Sequence, residues 1–514
     1  MNKLYEINEF PYGDGDNRSI IIYGDNLGAK DVFVYLDKEC LGVFDSWKSL
    51  EAELKSKSKL KVSVMGCQFL LGYGFVPPPF TLYRNVIRLT IGDKLTIEKF
   101  KNKAFYEVDF PYLSNKSMNK QHSSNNELKK VLTDAVSVLD HEKRDIYIMQ
   151  SSGKDSTALM LALKEAQIKN VNAITYNPNY RENEASDAKA IAKSFNYNHT
   201  IINADPLGEY DSFIRFCEKS PAINGDYALI SYIYSLEKGK AEKGIVIDGM
   251  GNDIYMGHIP SKLESRLKQY SIIKLFPFLW DKFEVPPLGT KMSYALKSFM
   301  MYPTERVISG SHVSHSNVLD IFPHQTQYRS FFKSLYINYK RLSEVDLRAY
   351  VRGRLFDTAC CMEKARLAAF NQDSEAIFPF TNGSIIQYYF NLREEDRYDY
   401  NKRTNKLALR RLLNAEFGEF KYLKEKGSFR YDIMSFIKAN QNNILKEINT
   451  ASSIIPSINR VFKYYWNRKE NYVFNGPIHH LFVLSAWLNR RDSSVIGSFD
   501  QSLPEFELDI SFKF

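Results

Sequence analysis

The chain has 514 residues, is 44% hydrophobic and 14% aromatic, and carries a formal net charge of +9. That is long enough for about three domains and apolar enough for real cores, which argues against gross disorder. The charge is modest for the length: it suits anionic ligands and gives no ground to expect nucleic acid. Five cysteines (Cys40, Cys67, Cys217, Cys360, Cys361) are odd in number and lack C-x-x-C spacing. They point away from a disulfide framework or structural zinc and towards a reducing cytosol. No apolar signal region follows Met1, and no apolar run approaches the roughly 18 residues of a membrane span. A cytoplasmic protein with no membrane partner is expected.

Residues 1–110 alternate β-rich runs with turns, as in Ser19–Tyr23, Asp31–Leu36 and Leu60–Val64. Pro77, Pro78 and Pro79 force extended backbone before a further run from Val86 to Leu95. The polar, Ser/Asn-rich residues 111–128 read as a linker, and a helix is expected from about Glu127 to Leu139.

Ile146 to Met149 then reads as a short strand, Gln150 to Gly153 as a turn, and Lys154 onwards as a helix. Strand, small-residue loop and helix aim backbone N–H groups at an anion. Ser151, Ser152, Ser156 and Thr157 add hydroxyl donors, Gly153 permits close approach, and Lys154 adds charge. Asp155 would repel a phosphate unless it holds a Mg²⁺ that bridges to phosphate oxygens. The Walker spacing G-x-x-x-x-G-K-[ST] is absent.

A strand Val171–Tyr176, a helix Glu184–Lys193, a strand Thr200–Ile202, a helix over 227–238 and a strand Gly244–Ile247 follow. Their alternation predicts a doubly wound parallel α/β sheet. The last strand ends in Asp248-Gly249-Met250-Gly251-Asn252-Asp253. Glycines and a carboxylate there sit where such sheets bind ligands, and Asp253 with Asp155 gives two carboxylates for one Mg²⁺. Residues 258 to about 345 are aromatic and basic without a pattern that forces chemistry. Asp357–Arg366 reads as a helix, Lys402–Arg411 as a basic helix with a solvated face, and Ile478–Leu488 as an amphipathic closing helix. His479 and His480 in that last helix are adjacent rather than at i, i+4, so a metal pair is not expected.

The run Ser151–Ser156 resembles the S-G-G-x-D-S pyrophosphate loop of the ATP pyrophosphatase superfamily, with Ser152 in place of a glycine. The resemblance implies cleavage of ATP between its α and β phosphates. Over roughly residues 70–490 the chain resembles asparagine synthetases. Leu71–Leu95 is similar to the end of their glutaminase domain, and Asp248–Gly257 to their G-x-G-x-D-E-x-F-G-G motif. Glu184 to His199 follows their E-x-x-x-A-x-x-x-A and histidine pattern, and Glu375–Asn382 resembles V-E-x-R-x-P-F-L-D. Lys406–Arg410 resembles K-x-x-L-R, and Lys424–Phe429 resembles K-K-x-G-F. Four further family positions differ. Asn2 stands where the family's glutaminase has its cysteine, Ile377 and Asn382 replace an arginine and an aspartate, and Met250 replaces a Glu or Tyr that handles amine protons. Methionine does no acid–base work.

The implied fold is a doubly wound parallel sheet of the PP-loop (adenine nucleotide α hydrolase-like) type with added helices. A small degenerate β-rich, glutaminase-like (Ntn-like) domain over 1–110 precedes a linker over 111–128 and a synthetase domain over 129–514. ATP and pyrophosphate would contact Ser151, Ser152, Gly153, Lys154, Asp155, Ser156, Thr157, Tyr176, Gly249, Met250 and Gly251. Mg²⁺ would lie on Asp155 and Asp253, and Lys424 or Lys426 would stabilise charge at the reacting centre. The implied activity is an ATP-dependent amide-forming ligase that adenylates a carboxylate, small or peptidic, and has no glutaminase of its own. Nitrogen would come from a separate ammonia source, a biosynthetic partner protein or an amine on the substrate. The last case is that of lasso-peptide macrolactam cyclases and β-lactam or carbapenam synthetases. A non-catalytic nucleotide-binding or scaffold protein is the rival of a different class. A tRNA-modifying enzyme would need a catalytic cysteine or an RNA-binding module, neither visible in the sequence.

Overall fold

The computed structural model describes residues 2–7, 19–25, 27–28, 30–98, 103–114, 120–178, 184–269, 276, 299–308, 310–323, 327–418, 431–497 and 507–513. The β-rich N-terminal runs form β1 (Lys3–Glu6), β2 (Ser19–Tyr23), β3 (Val32–Leu36), β4 (Cys40–Phe44), β5 (Val86–Leu89), β6 (Asp93–Glu98) and β7 (Lys103–Asp109). They make two sheets, β1-β4-β3-β5 and one built on β2-β6-β7, with every one of these pairings antiparallel. Burial alternates strictly along β6 and β7, the period-2 pattern of a sheet with one face on the core.

The parallel sheet foreseen from the alternating elements forms from β8 (Ile146–Met149), β9 (Val171–Asn177), β10 (Asn198–Asn203), β11 (Ile245–Ile247) and β12 (Glu375–Ile377). Its order is β10-β9-β8-β11-β12 and each pairing is parallel. Every residue of β8 and β11 is buried, as befits central strands covered on both faces. The chain runs outward from β8 in one direction and from β11 in the other. The β8/β11 boundary is therefore the switch point, where a crevice opens at the carboxyl ends of the strands. Helices Asn125–Ser137, Lys154–Glu165 and Leu407–Phe417 pack as one group, and Pro206–Lys219, Ala228–Lys238 and Glu363–Phe370 as another. A short hairpin, β13 (Tyr398–Asp399) and β14 (Thr404–Asn405), leads into the helix Leu407–Phe417.

Three features differ from the sequence expectations. The closing helix, Asn475–Leu488, is buried at all of its residues rather than amphipathic. Helices Gln441–Ala451 and Ile458–Trp466 and the N-terminal helix Val64–Tyr73 pack around it. The final strand β15 (Glu507–Lys513) pairs in parallel with β7, so the chain's last described segment joins the N-terminal sheet. Within the expected linker, residues 120–124 are fastened to the body: Gln121 N donates to Asn391 O at 2.8 Å and Ser123 N to Asp396 Oδ2 at 3.1 Å.

One hydrophobic core runs through the N-terminal sheets and the parallel sheet together. Buried charge ties the same two parts. Arg88 of β5 pairs with Asp31 and with Glu363, and Arg354 pairs with Asp93 while donating to Ile91 O at 2.9 Å. Such pairs are costly to break, because removal of one partner strands a buried charge. No helix among the described residues is long and apolar enough to cross a membrane.

The closing helix carries a pH liability. His479 and His480 are 1% and 2% exposed. His480 donates from Nε2 to Gly225 O at 3.1 Å, and both His479 nitrogens lack a partner among the described residues. Burial pulls both imidazoles down, His480 to about 4. The unfolded chain takes up these protons near pH 6.5, whereas native His480 resists until about pH 4 and buried His479 is lowered in the same direction. Their neutral burial thus leaves stability intact above about pH 6.5 and erodes it as the pH falls through that window, by about 3 kcal/mol for His480 alone. Thermal midpoints should drop across it, with a shallower slope in His479→Leu.

Candidate active site

The helix Lys154–Glu165 begins directly behind β8, and the loop between them is shaped by its own hydroxyls. Gln150 N donates to Ile174 O at 2.8 Å and anchors the strand end to β9. Ser151 Oγ accepts from Gly153 N at 3.1 Å, Ser156 Oγ donates to Ser151 O at 3.1 Å, and Thr157 Oγ1 donates to Gly153 O at 2.7 Å. These hydroxyls close the loop on itself instead of standing free for a ligand, and Ser152 is buried beside them. What the loop offers outward is the helix N-terminus, where Gly153 occupies the cap position and no side chain caps the first turn. Uncapped N–H groups with the positive end of the helix dipole make an anion site.

Two carboxylates converge beside that N-terminus. Lys406 Nζ lies 2.6 Å from Asp155 Oδ2 and 3.0 Å from Asp253 Oδ1. Asn252 Nδ2 donates to Asp155 Oδ1 at 2.6 Å, and Asn405 Nδ2 to Asp253 Oδ1 at 3.3 Å. Lys406 sits in left-handed backbone, φ 59°, where β14 hands over to its helix. A non-glycine residue holds that conformation only where its surroundings over-determine it. Burial opposes its charge, yet the two aspartates carry its ammonium well above the ordinary lysine value. Burial also pushes the Asp253 carboxyl upward, but Lys406 and His258 hold it below the usual carboxylate range. Lys154 goes the other way: burial, with Arg410 and Lys406 nearby, brings its ammonium down to about 8. An anion seated at the helix N-terminus would relieve that crowding of cations.

The carboxyl end of β11 is held by a buried chain of polar groups. Met250 N donates to Asp248 Oδ1 and Tyr232 OH to Asp248 Oδ2, both at 2.9 Å. Lys364 lies 5.0 Å from the Tyr232 ring centroid and 2.8 Å from Asp226 Oδ2. Burial raises the Asp248 carboxyl and Lys364 opposes the rise. Gly249 brings this loop against the helix Lys154–Glu165: a Cβ there would stand 3.1 Å from Asp155 Cβ and 3.2 Å from Ser156 N. Gly251 has φ +94°, and a Cβ there would meet Thr381 Cγ2 at 2.9 Å. Gly249→Ala is expected to cost about 1–2 kcal/mol through overpacking. It should lower the thermal midpoint and weaken nucleotide binding, as read by calorimetry.

The fold thus brings together Ser151, Ser152, Gly153, Lys154, Asp155, Ser156, Thr157, Gly249, Met250, Gly251 and Asp253 at the ends of β8 and β11. Tyr176 is committed elsewhere, its hydroxyl donating to Glu209 Oε1 at 2.7 Å while Tyr431 OH holds Glu209 Oε2 at 2.8 Å. His199 Nε2 meets Thr175 Oγ1 at 2.8 Å and serves β9 and β10 rather than the crevice. Lys424 and Lys426 lie outside the described residues. Lys406 corrects the expectation of a solvated basic face: its side chain is only 6% exposed. The K-x-x-L-R match marked it without revealing its partners, and nothing in sequence pointed to Asn252 or Asn405.

The site fits Mg²⁺. Two hard carboxylate oxygen donors face one cationic position, the arrangement of an ion shared between one or two carboxylates and substrate phosphates. Among the described residues no cluster of three or more His, Cys, Asp or Glu could hold a metal by protein ligands alone.

A doubly wound parallel sheet with an uncapped helix N-terminus and paired carboxylates at its switch point defines an α/β protein of PP-loop type. The chain belongs to the asparagine synthase family, whose model matches residues 127–452. Among solved structures, an NH3-dependent NAD synthetase from Campylobacter jejuni subsp. jejuni NCTC 11168, in complex with the nitrate ion, is 17% identical. The match covers 45% of this chain and 93% of that one, with a TM-score of 0.21. The search of curated proteins returns no match.

Proposed function

We propose that the protein is an ATP-dependent carbon–nitrogen ligase that activates a carboxylate as an acyl-adenylate, releases pyrophosphate, and passes the acyl group to a nitrogen nucleophile. The observation that carries this reading is the convergence of Asp155 and Asp253 on one cationic position beside the uncapped N-terminus of the helix Lys154–Glu165. That helix end and Lys154 receive the β and γ phosphates. The substrate carboxylate oxygen attacks the α-phosphorus, the α–β bridging bond breaks, and pyrophosphate leaves. Nitrogen then attacks the acyl carbon and AMP departs. Mg²⁺ on Asp155 and Asp253 would neutralise the charge developing on the departing phosphates. Lys424 or Lys426 is assigned charge stabilisation at the acyl centre on the strength of the family resemblance.

The nitrogen source is read as external to this chain: free ammonia, a separate glutaminase, or an amine on the substrate, as in macrolactam closure. A glutamine-splitting cysteine needs a depressed thiol. Here burial raises Cys40, and pushes Cys67 up to about 12. Burial likewise raises Cys217, and hydrogen bonding to Cys361 with burial raises Cys360. Met250 supplies no base, so the proton of the attacking nitrogen goes to the substrate or to the departing phosphate. The test is pyrophosphate release from Mg-ATP by the full chain with pooled carboxylates and amines. Acceptor-dependent release supports a ligase; tight ATP binding without release under any pool would favour a nucleotide-binding protein.

A further inference from the structure

Beside Asp253 stands a second pair of titratable side chains, which the proposed reaction leaves unused. His258 Nε2 lies 2.8 Å from Asp357 Oδ2, and the two side chains are 14% and 13% exposed. Gly257 sets the course of the histidine. Its φ is +95°, and a Cβ there would meet Tyr398 Cδ1 at 2.6 Å, so a side chain would be both strained and crowded. Asn405 Nδ2 fastens the same turn to the carboxylate, donating to Gly257 O at 3.0 Å and to Asp253 Oδ1 at 3.3 Å. Asp357 comes from the π-helix Ala349–Met362, which packs on the helix Asn252–Met256. That winding brings residues five apart onto one face, and Arg352 Nε accordingly lies 3.7 Å from Asp357 Oδ1.

The hydrogen bond fixes the chemistry of the histidine. A carboxylate can only accept, so Asp357 takes the Nε2 proton of the neutral ring and the lone pair falls on Nδ1. Nδ1 has no hydrogen-bond partner among the described residues. Such an imidazole is set to accept a proton, and the carboxylate behind it stabilises the imidazolium that forms. The charged groups around the pair are Arg352 and Asp357 from the π-helix, Asp253 from the preceding helix, and Lys406 and Arg403 from the hairpin side. The Tyr398 phenol is the further titratable group there. Burial raises the Asp253 carboxyl, and Lys406 first, then His258 and Arg352, hold it down. His258 makes no hydrogen bond to Asp253 or Asp155 among the described residues.

We propose that His258, oriented by Asp357, is the base that readies the nitrogen nucleophile, and that this nucleophile arrives as a cation, either ammonium or a protonated alkyl amine. The assignment rests on the ligase reading. An amine of lysine basicity is protonated at neutral pH and has no lone pair to attack with. Its N–H bond breaks, the electron pair stays on nitrogen, and the proton goes to Nδ1 of His258. The neutral amine then attacks the acyl carbon, and the acyl–oxygen bond to AMP breaks with its electron pair on oxygen. The proton shed in that attack is a second one, and it stays on the substrate or leaves with the departing phosphate. The imidazolium returns its own proton to solvent before the next turnover. His258 is thereby a catalytic residue and Asp357 a positioning residue.

Two measurements on the full chain test the assignment. In nitrogen-15 spectra, the His258 signals are identified by their loss in His258→Gln. They should show the neutral ring protonated at Nε2, and Asp357→Asn should shift them towards the other tautomer. A neutral ring protonated at Nδ1 would overturn the base. The second measurement follows pyrophosphate and AMP release from Mg-ATP with pooled carboxylates and amines, from about pH 6 to about pH 10. His258→Gln keeps an N–H for Asp357 and should bind ATP and melt as the parent does. Its first-turnover burst of pyrophosphate should survive, because adenylation moves no amine proton. Its steady AMP release should fall about 100-fold at about pH 7 and recover towards about pH 10, where amines lose their protons unaided. Asp357→Asn should lose less, and Asp357→Glu should restore much of that loss. Equal AMP release in His258→Gln, or a loss that is the same at every pH, overturns the base alone. No pyrophosphate from the parent overturns the ligase reading and the base with it.

Discussion

Asp155→Ala is expected to reduce pyrophosphate release from Mg-ATP on the order of 10³-fold, comparable to the loss of a central charge-stabilising group in other active sites. Asp155 lies in the first turn of the helix Lys154–Glu165, where Asn252 fixes one oxygen and Lys406 meets the other. Its removal takes away half of the paired carboxylate site without touching the apolar core. ATP should still bind through the helix N-terminus and Lys154, with its Mg²⁺ dependence flattened. Titration of Mg²⁺ against bound nucleotide separates this outcome from unfolding. Full activity in the variant would remove the metal assignment, whereas a folded, ATP-binding, inactive protein would support it.

Lys406→Met is expected to destabilise the protein by about 2 kcal/mol, the penalty for leaving two carboxylates to face each other unpaired. That lies below the roughly 3–5 kcal/mol of a fully buried pair because the Asp253 side chain is 40% exposed to water. Methionine fills a similar volume, so packing loss is small. Two readouts separate an electrostatic role from a merely structural one. Added Mg²⁺ should raise the thermal midpoint more in the variant than in the parent, since no ammonium competes for the carboxylates. The acid dependence should also change. With Lys406 present, the depressed Asp253 carboxyl adds stability that is present above its unfolded value, near pH 4, and is lost as the pH falls below it. Without Lys406 that contribution should disappear. An unchanged midpoint and an unchanged Mg²⁺ response would show that Lys406 is not the counter-ion of this pair.

The placement of Ser151 to Thr157 together at one strand end was legible because these residues are contiguous. Ser151 to Thr157 fall on one loop and one helical turn, so the order of strand, small residues and helix encodes their placement. Gly249, Gly251 and Asp253 follow a short apolar strand for the same reason. The hydroxyl roles were less legible: a serine that donates to a ligand and one that closes its own loop look alike in sequence, and Ser151, Ser156 and Thr157 do the latter. Lys406 was read as part of a solvated basic face, since a lone charged run carries no mark of burial. Its partners lie far upstream, at Asp155 and Asp253. The closing helix was read as amphipathic, and all of its residues are buried. Burial of its remaining face follows from the helices that the chain folds around it.

By itself, the sequence determined the local material of this protein: the period of its strands and helices, the loop that offers N–H groups to an anion, and the two acidic residues at adjacent strand ends. These follow from backbone sterics and side-chain periodicity over a dozen residues or fewer, which neighbours in sequence settle among themselves. Tertiary structure alone decided which charged groups lose water and which partner each then finds. It placed Lys406 between two aspartates and sent β15 back to the N-terminal sheet. Pairing and desolvation depend on distances of a few ångströms between residues far apart in the chain, and only the folded packing sets them.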